Sequence, residues 1–221
     1  MARIKNGILG GVSGKIGNVV GGSWNGIDYL RTLQSDVKQP NTELQSTQRL
    51  KFKTVIRFLQ PLNEVIRIGF KAWSVKMSAF NAAFSYNFHS ALIGDYNNGF
   101  AMDHPYVLLS RGNLNGAMNL TVVTDGPAAI RFTWTDNSAQ GNAKTTDSAF
   151  YAVVDPAKQE TVYLLNAANR LTGEIVASLP VNWSGDTVHC YFGFFALNAL
   201  LGGGDKRSVS NSQYAGSLLV E

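Results

Sequence analysis

Lys15 follows Gly14 in a glycine-rich stretch, the kind of place where a backbone loop and an ammonium group cradle phosphates. That chemistry needs a glycine five residues before Gly14, where Leu9 stands. It also needs a Ser or Thr after the lysine, where Ile16 stands. No strand pattern precedes the stretch, so phosphate binding is not indicated. The histidines are His89, His104 and His189, and none has the HExxH spacing or the Cys-x-x-Cys companion of a zinc site. His189 and Cys190 are consecutive in a strand-like run, and successive strand side chains point to opposite faces, which forbids a thiolate–imidazole pair. Asp103-His104-Pro105 offers part of a hydrolase triad, but there is no G-x-S-x-G nucleophile elbow to complete it. Asp136, Gly141 and Asp147 fall at positions 1, 6 and 12 of a calcium loop. Against that, Ser138 and Gln140 replace preferred carboxylates, and Asp147 is shorter than the usual bidentate glutamate. A plain hairpin loop is the better reading of 136–147. The sequence therefore predicts a protein that is not an enzyme, with no catalytic set, no cofactor and no metal.

The composition points to a packed body. The chain has 221 residues, 45% hydrophobic and only 15% charged against a usual quarter, with 22 glycines. Low charge with many aromatics fits a β-rich protein, or one with much surface held against neighbours. Cys190 stands alone, so no internal disulfide supports the fold. The opening residues lack the apolar core of a signal peptide. Val65 to Phe84 is the longest apolar-looking stretch, but it contains Arg67, Lys71 and Lys76, each costing roughly 2.5–3.5 kcal/mol at a bilayer centre. Synthesis in the cytoplasm is the expectation, with no membrane span. A virion or extracellular assembly would then be reached by a route other than a signal peptide.

Charge is divided unevenly. Residues 1–76 carry twelve Lys and Arg against four acids, a net +8, whereas 77–221 carry seven basic against eleven acidic residues, a net −4. Such asymmetry suits either an acidic partner such as nucleic acid, or a chain whose head complements its neighbour's tail. Arg3, Lys5, Lys15, Arg49, Lys53 and Arg57 form the candidate basic contact face. The aromatics of the helical region sit on its apolar stripe and not beside these charges, so a base-stacking platform is not favoured.

Four segments would position these residues. Residues 1–40 read as a glycine-rich arm whose Ile8, Leu9, Val12, Ile16, Val19, Val20 and Trp24 need covering, a pattern unlike a Gly/Ser linker. Residues 41–87 read as a kinked helical segment. Thr42 and Gln45 make a capping-box pattern, and Leu44, Leu50, Val55, Phe58 and Leu59 give an apolar side before Pro61 ends or kinks the helix. Ile66, Phe70, Trp73, Met77, Phe80 and Phe84 recur at alternating steps of four and three, predicting a helical stripe roughly 30 Å long. Residues 88–118 read as a loop-rich connector with one strand over Tyr106–Ser110. From Leu120 the period becomes two, with strands expected at 119–124, 130–135, 149–154, 161–165, 174–179, 188–194 and 208–220. Turn signals at Asp125-Gly126-Pro127, Asp155-Pro156 and Ser184-Gly185-Asp186 separate several of them. The fold class is α+β and mainly β, with residues 119–221 an antiparallel β-sandwich of immunoglobulin or fibronectin type III kind, Trp134 filling its core.

Several stretches carry a resemblance. Residues 2–11, Ser13-Gly14-Lys15-Ile16-Gly17-Asn18-Val19-Val20-Gly21, Ser78-Ala79-Phe80-Asn81-Ala82-Ala83 and Val107-Leu108-Leu109-Ser110 resemble an uncharacterised protein family of Bacteroidetes and phage-like elements. Phe132-Thr133-Trp134-Thr135-Asp136-Asn137 and Trp183-Ser184-Gly185-Asp186-Thr187-Val188 are similar to its C-terminal half. The resemblance implies no activity and transfers no site residue. The expectation is a self-assembling structural protein, such as a virion, tail or filament subunit, forming a homo-oligomer through the arm. The alternative is a sandwich module that binds a glycan or protein ligand.

Overall fold

The computed structural model describes residues 3–4, 10–24, 26–34 and 42–221. The chain divides into two compact units, Met1–Glu43 and Leu44–Glu221.

In the first unit β1 (Arg3–Ile4), β2 (Val12–Ile16), β3 (Val19–Trp24) and β4 (Ile27–Thr32) form a four-stranded sheet in that order, every pair antiparallel. The glycine-rich stretch is thus a β-meander and not an extended arm. Ile16 pairs with Val19 and Trp24 with Ile27, so β2 returns to β3 and β3 to β4 through two-residue connections. Gly17 and Gly26 hold φ at +56° and +78° in those loops, where glycine carries no steric cost. At Gly21 a Cβ would strike the Val12 carbonyl, so this glycine is what lets β2 and β3 approach.

The second unit has three layers. Its helical layer holds α1 (Glu43–Leu59), α2 (Asn63–Gly69) and α3 (Ala79–Ser90). A 3₁₀ turn at Gln60–Leu62 containing Pro61 separates the first two, as expected for a proline that removes a backbone donor. The predicted continuous stripe from Ile66 to Phe84 is interrupted. A 3₁₀ turn spans Lys71–Trp73, Lys76 takes a φ of +56°, and Ser78 caps α3 by accepting from the Asn81 N–H at 3.1 Å. Ile66 and Phe70 are buried, Trp73, Phe80 and Phe84 pack against the same core, and Met77 is exposed. The periodicity survives because both helices lie on one core, although the helix does not.

Between the helices and the sandwich, β5 (Leu92–Asp95) and β6 (Gly99–Met102) make a hairpin. The expected strand at Tyr106–Ser110 is absent. Its backbone bonds go elsewhere: Tyr106 and Val107 N–H donate to the Asp103 and His104 carbonyls in a 3₁₀ turn, Asn87 Oδ1 accepts from Leu108 N, Asn87 Nδ2 donates to Leu108 O, Ser212 Oγ accepts from Leu109 N, and Ser212 N donates to Ser110 O. A chain satisfied in this way has no ladder left to make.

The sandwich opposes a three-stranded to a four-stranded sheet. The first is β11 (Glu174–Ser178), β8 (Ala129–Thr135) and β7 (Met118–Thr124); the second is β10 (Glu160–Asn169), β9 (Ser148–Asp155), β12 (Thr187–Phe195) and β13 (Gln213–Leu219). Residues 208–212, expected in the last strand, contribute only isolated bridges at Val209 and Ser210. The fold is mainly β, and three strands on four in this order is the fibronectin type III arrangement.

β9 is buried at every residue because both its faces are covered. Ala149, Tyr151 and Val153, with Cys190, Phe192 and Phe194 of β12, meet Ile130, Phe132, Trp134 and Ala177 in the sandwich core. Phe150, Ala152 and Val154, with Tyr191 and Phe195, meet Val55, Leu59, Leu62, Val65 and Phe70 of the helical layer. Gly193 belongs to this side, where a Cβ would strike the Phe150 ring. Among the described residues no helix is long and apolar enough to cross a membrane.

Candidate functional site

The strand register sorts the meander's side chains onto two faces. Lys15 stands opposite Val20 and Val20 opposite Arg31, so Lys15 and Arg31 share one face with Val20, Trp24, Ile27 and Tyr29, while Arg3 pairs with Ser13 on the far side of the bend at Gly14, whose φ is +105°. Ile16 opposes Val19 and Gly21 opposes Leu30, which places Ile16, Val19 and Leu30 on the other face; Ile4 opposes Val12 beyond the bend. The anchors expected from sequence are therefore divided: Ile16 and Val19 lie together, Val20 and Trp24 lie on the opposite side, and Val12 pairs with Ile4 instead. Ile8, Leu9 and Lys5 fall outside the described residues. Among the described residues 3–34 only Gly21 is buried. Ile27 is 53% and Leu30 63% exposed, and Ile4, Ile16, Trp24, Tyr29 and Leu33 are exposed as well. Tyr29, Arg31 and Leu33 carry much of this surface and escape notice in the sequence, where glycine dominates. The two-residue loops flanked by alternating residues, Ile16-Gly17-Asn18-Val19 and Trp24-Asn25-Gly26-Ile27, were the available signal.

Of the expected basic face, Arg49, Lys53 and Arg57 recur every four residues along α1 and are all exposed. They belong to the second unit, Arg3 and Lys15 to the first. The outer turns of α1 also expose Leu44, Leu50 and Phe52, of which Leu44 and Leu50 were expected to be covered. Phe52 stacks beside Phe84 and Phe88 at ring distances of 4.9 and 5.1 Å.

Two histidines of the body meet unexpectedly. His104, in a 3₁₀ turn after β6, stacks on His189 of β12 with centroids 3.5 Å apart and planes 7° from parallel. Each Nδ1 is hydrogen-bonded to a tyrosine hydroxyl at 2.8 Å, His104 with Tyr191 and His189 with Tyr214. Burial holds His104 far below its ordinary value, at about 4, and the neighbouring His189 pushes the same way. Burial lowers His189 and raises Tyr191 as well. His104 also borders a cavity of about 300 Å³ lined by Arg57, Phe58, Phe100, Asp155 and Thr161. Cys190 points away into the sandwich core, and burial pushes its thiol up to about 12, where it stays protonated. It is not a nucleophile under ordinary conditions.

The stretch 136–147 is occupied by a guanidinium. Arg170 is fully buried, its Nε donating to Asp147 Oδ2 at 3.2 Å and its Nη1 to Asn137 Oδ1 at 2.6 Å. Further donations reach the carbonyls of Gly116 and Asn115, and the guanidinium lies 3.8 Å over the Phe194 ring. The carboxylate that resembled a calcium ligand serves this ion pair. Among the described residues no group of three or more His, Cys, Asp or Glu side chains is placed to hold a metal.

The model of a protein family of unknown function, DUF6266, matches residues 11–216. The chain belongs to this family. The match takes in the meander from Gly11 onward, the helical layer and the sandwich as far as Gly216, so both units belong to DUF6266. No curated protein matches the chain. Among solved structures it is similar to the fibronectin type III domain of the human collagen alpha-1(XX) chain. That likeness is at 10% identity and a TM-score of 0.33, over 50% of this chain and 88% of that one.

Proposed function

We propose that this protein is a non-catalytic structural subunit that associates with copies of itself through its N-terminal meander. The observation that carries the reading is the meander's lack of a core. A four-stranded sheet whose only buried described residue is a glycine, with seven large apolar side chains exposed, has no core of its own among the described residues. Covering seven half-exposed side chains of this size is worth on the order of 5–10 kcal/mol, enough to offset much of the cost of association. A virion, tail or filament subunit, assembled after cytoplasmic synthesis, is the class of object this describes. A glycan-binding module has less support, since none of the exposed large apolar side chains between Met118 and Leu219 is aromatic.

The test is light scattering after size-exclusion chromatography, on the full chain and on a chain lacking residues 1–41. The full chain is expected to form defined oligomers and the shortened chain to be a folded monomer. A full chain that stays at 24 kDa, or a shortened chain that assembles equally well, overturns the reading.

A further inference from the structure

Strand β4 leaves one side of its backbone open. It ends the β1-β2-β3-β4 order, and all six of its residues are exposed. The Leu33 N–H donates to the Asn18 carbonyl at 2.6 Å, which makes 18 and 33 a directly hydrogen-bonded pair in the β3–β4 register. By alternation Ile27, Tyr29 and Arg31 also turn their N–H and C=O groups toward β3. Asp28, Leu30 and Thr32 turn theirs outward, where among the described residues they meet no strand. Edge strands are usually protected by proline, a bulge or an inward charge. β4 has no proline and its register with β3 runs unbroken through six pairs; its charges are Arg31 and Asp28, whose carboxylate lies against Gly11.

We infer that β4 is a self-pairing edge: it adds antiparallel to β4 of a second copy about a twofold axis, with Leu30 opposite Leu30. This rests on the reading of the meander as the contact element and names the partner and register. Only outward residues can face outward residues, so the residue numbers of every opposed pair must add to an even total. The registers centred on Asp28 or Arg31 set like charges against each other and are disfavoured. The register centred on Leu30 sets Asp28 against Thr32, Tyr29 against Arg31 and Ile27 against Leu33. It therefore buries Leu30 against itself and lays each guanidinium beside a tyrosine ring on the face that also holds Trp24. The register centred on Tyr29 places Arg31 against Ile27 and Asp28 against Leu30, leaving both charges without a complementary partner.

Two variants of the full chain test it. In a directly hydrogen-bonded antiparallel pair the Cα atoms lie about 5.5 Å apart, within disulfide reach. Leu30→Cys is therefore expected to give a covalent dimer under mild oxidation, and Tyr29→Cys is not; the native Cys190 is buried and does not compete. Leu30→Pro removes only an outward N–H, which an edge strand tolerates, and is expected to abolish dimers while leaving the circular dichroism of the chain unchanged. Absence of the Leu30→Cys crosslink, or dimers persisting in Leu30→Pro, overturns the β4 pairing. If the unaltered chain still forms oligomers that need residues 1–41, the meander reading stands without it. An unaltered chain that is a monomer throughout sinks both.

Discussion

Two imidazoles stacked face to face, as His104 and His189 are, stay in that arrangement at low cost only while both are uncharged. The groups around them do not relieve a charge: Tyr191 and Tyr214 occupy the Nδ1 positions, Phe58 lies at the edge of His104, and Arg57 lines the same cavity. The acids that bear on the group are Asp103, adjacent in sequence and acting on Tyr191, and the buried Asp155, which lines the same cavity as His104. His104 titrates at about 4 in the folded chain against 6.5 when unperturbed. The unfolded chain thus binds more protons between these values, and stability must rise with pH across that window. The contribution is complete above about pH 6.5, falls as the solution is acidified, and levels off below about pH 4; its size is at most about 3 kcal/mol. His104→Gln should flatten the slope of melting temperature against pH between 6.5 and 4. Asp95 and Asp205, both lowered by hydrogen bonds from nearby groups, titrate below that window, whereas His189, also lowered by burial, keeps part of the slope in the variant. An unaltered slope in the variant would place the pH dependence elsewhere.

At the scale of elements, the loops at one end of the sandwich are held by Arg170. The 3₁₀ turn Arg170–Thr172 supplies the cation, the β8–β9 loop supplies Asn137 and Asp147, the segment before β7 supplies two carbonyls, and Trp134 Nε1 donates to the Arg170 carbonyl at 2.8 Å. Arg170→Ala leaves a buried Asp147 carboxylate without its partner, and such breaks cost roughly 3–5 kcal/mol. The double variant Arg170→Met with Asp147→Asn should recover part of that loss, measured by denaturant unfolding; equal loss in both would locate the cost in packing against Phe194. None of this was legible in the sequence, because Arg170 and Asp147 stand 23 residues apart and only tertiary folding joins them. What was legible had local causes. The period-two runs found all seven sandwich strands, since alternation follows from having two faces, and Pro61 ended its helix for want of a donor. Periodicity could not reveal the break near Lys76, because both helices pack on one core, nor the meander, whose glycines hide its alternation. The stacked histidines escaped too, being 85 residues apart with no motif between.

Across the whole body, β9 and β12 lend one face to each of two cores, so the helical layer and the sandwich share their central strands. The core of the helical layer contains Phe150, Ala152, Val154, Tyr191 and Phe195, and the sandwich core uses the residues between them. Melting either core would expose one face of the same two strands, and that shared cost should make residues 44–221 unfold together. Phe70→Ala in the helical layer and Phe132→Ala in the sandwich each remove a ring that is 1% exposed or less. Each is expected to cost about 3–5 kcal/mol, lowering the melting temperature by roughly 6–20 °C in a domain of this size. Both variants should move one and the same calorimetric transition, with calorimetric and van't Hoff enthalpies agreeing. Should Phe70→Ala split off an early transition that removes helical signal while Phe132→Ala leaves it in place, the helices would be an appendage and the shared strands would not couple the layers. A single shifted peak in both means that the fibronectin-like sandwich and its helical cover act as one structural element.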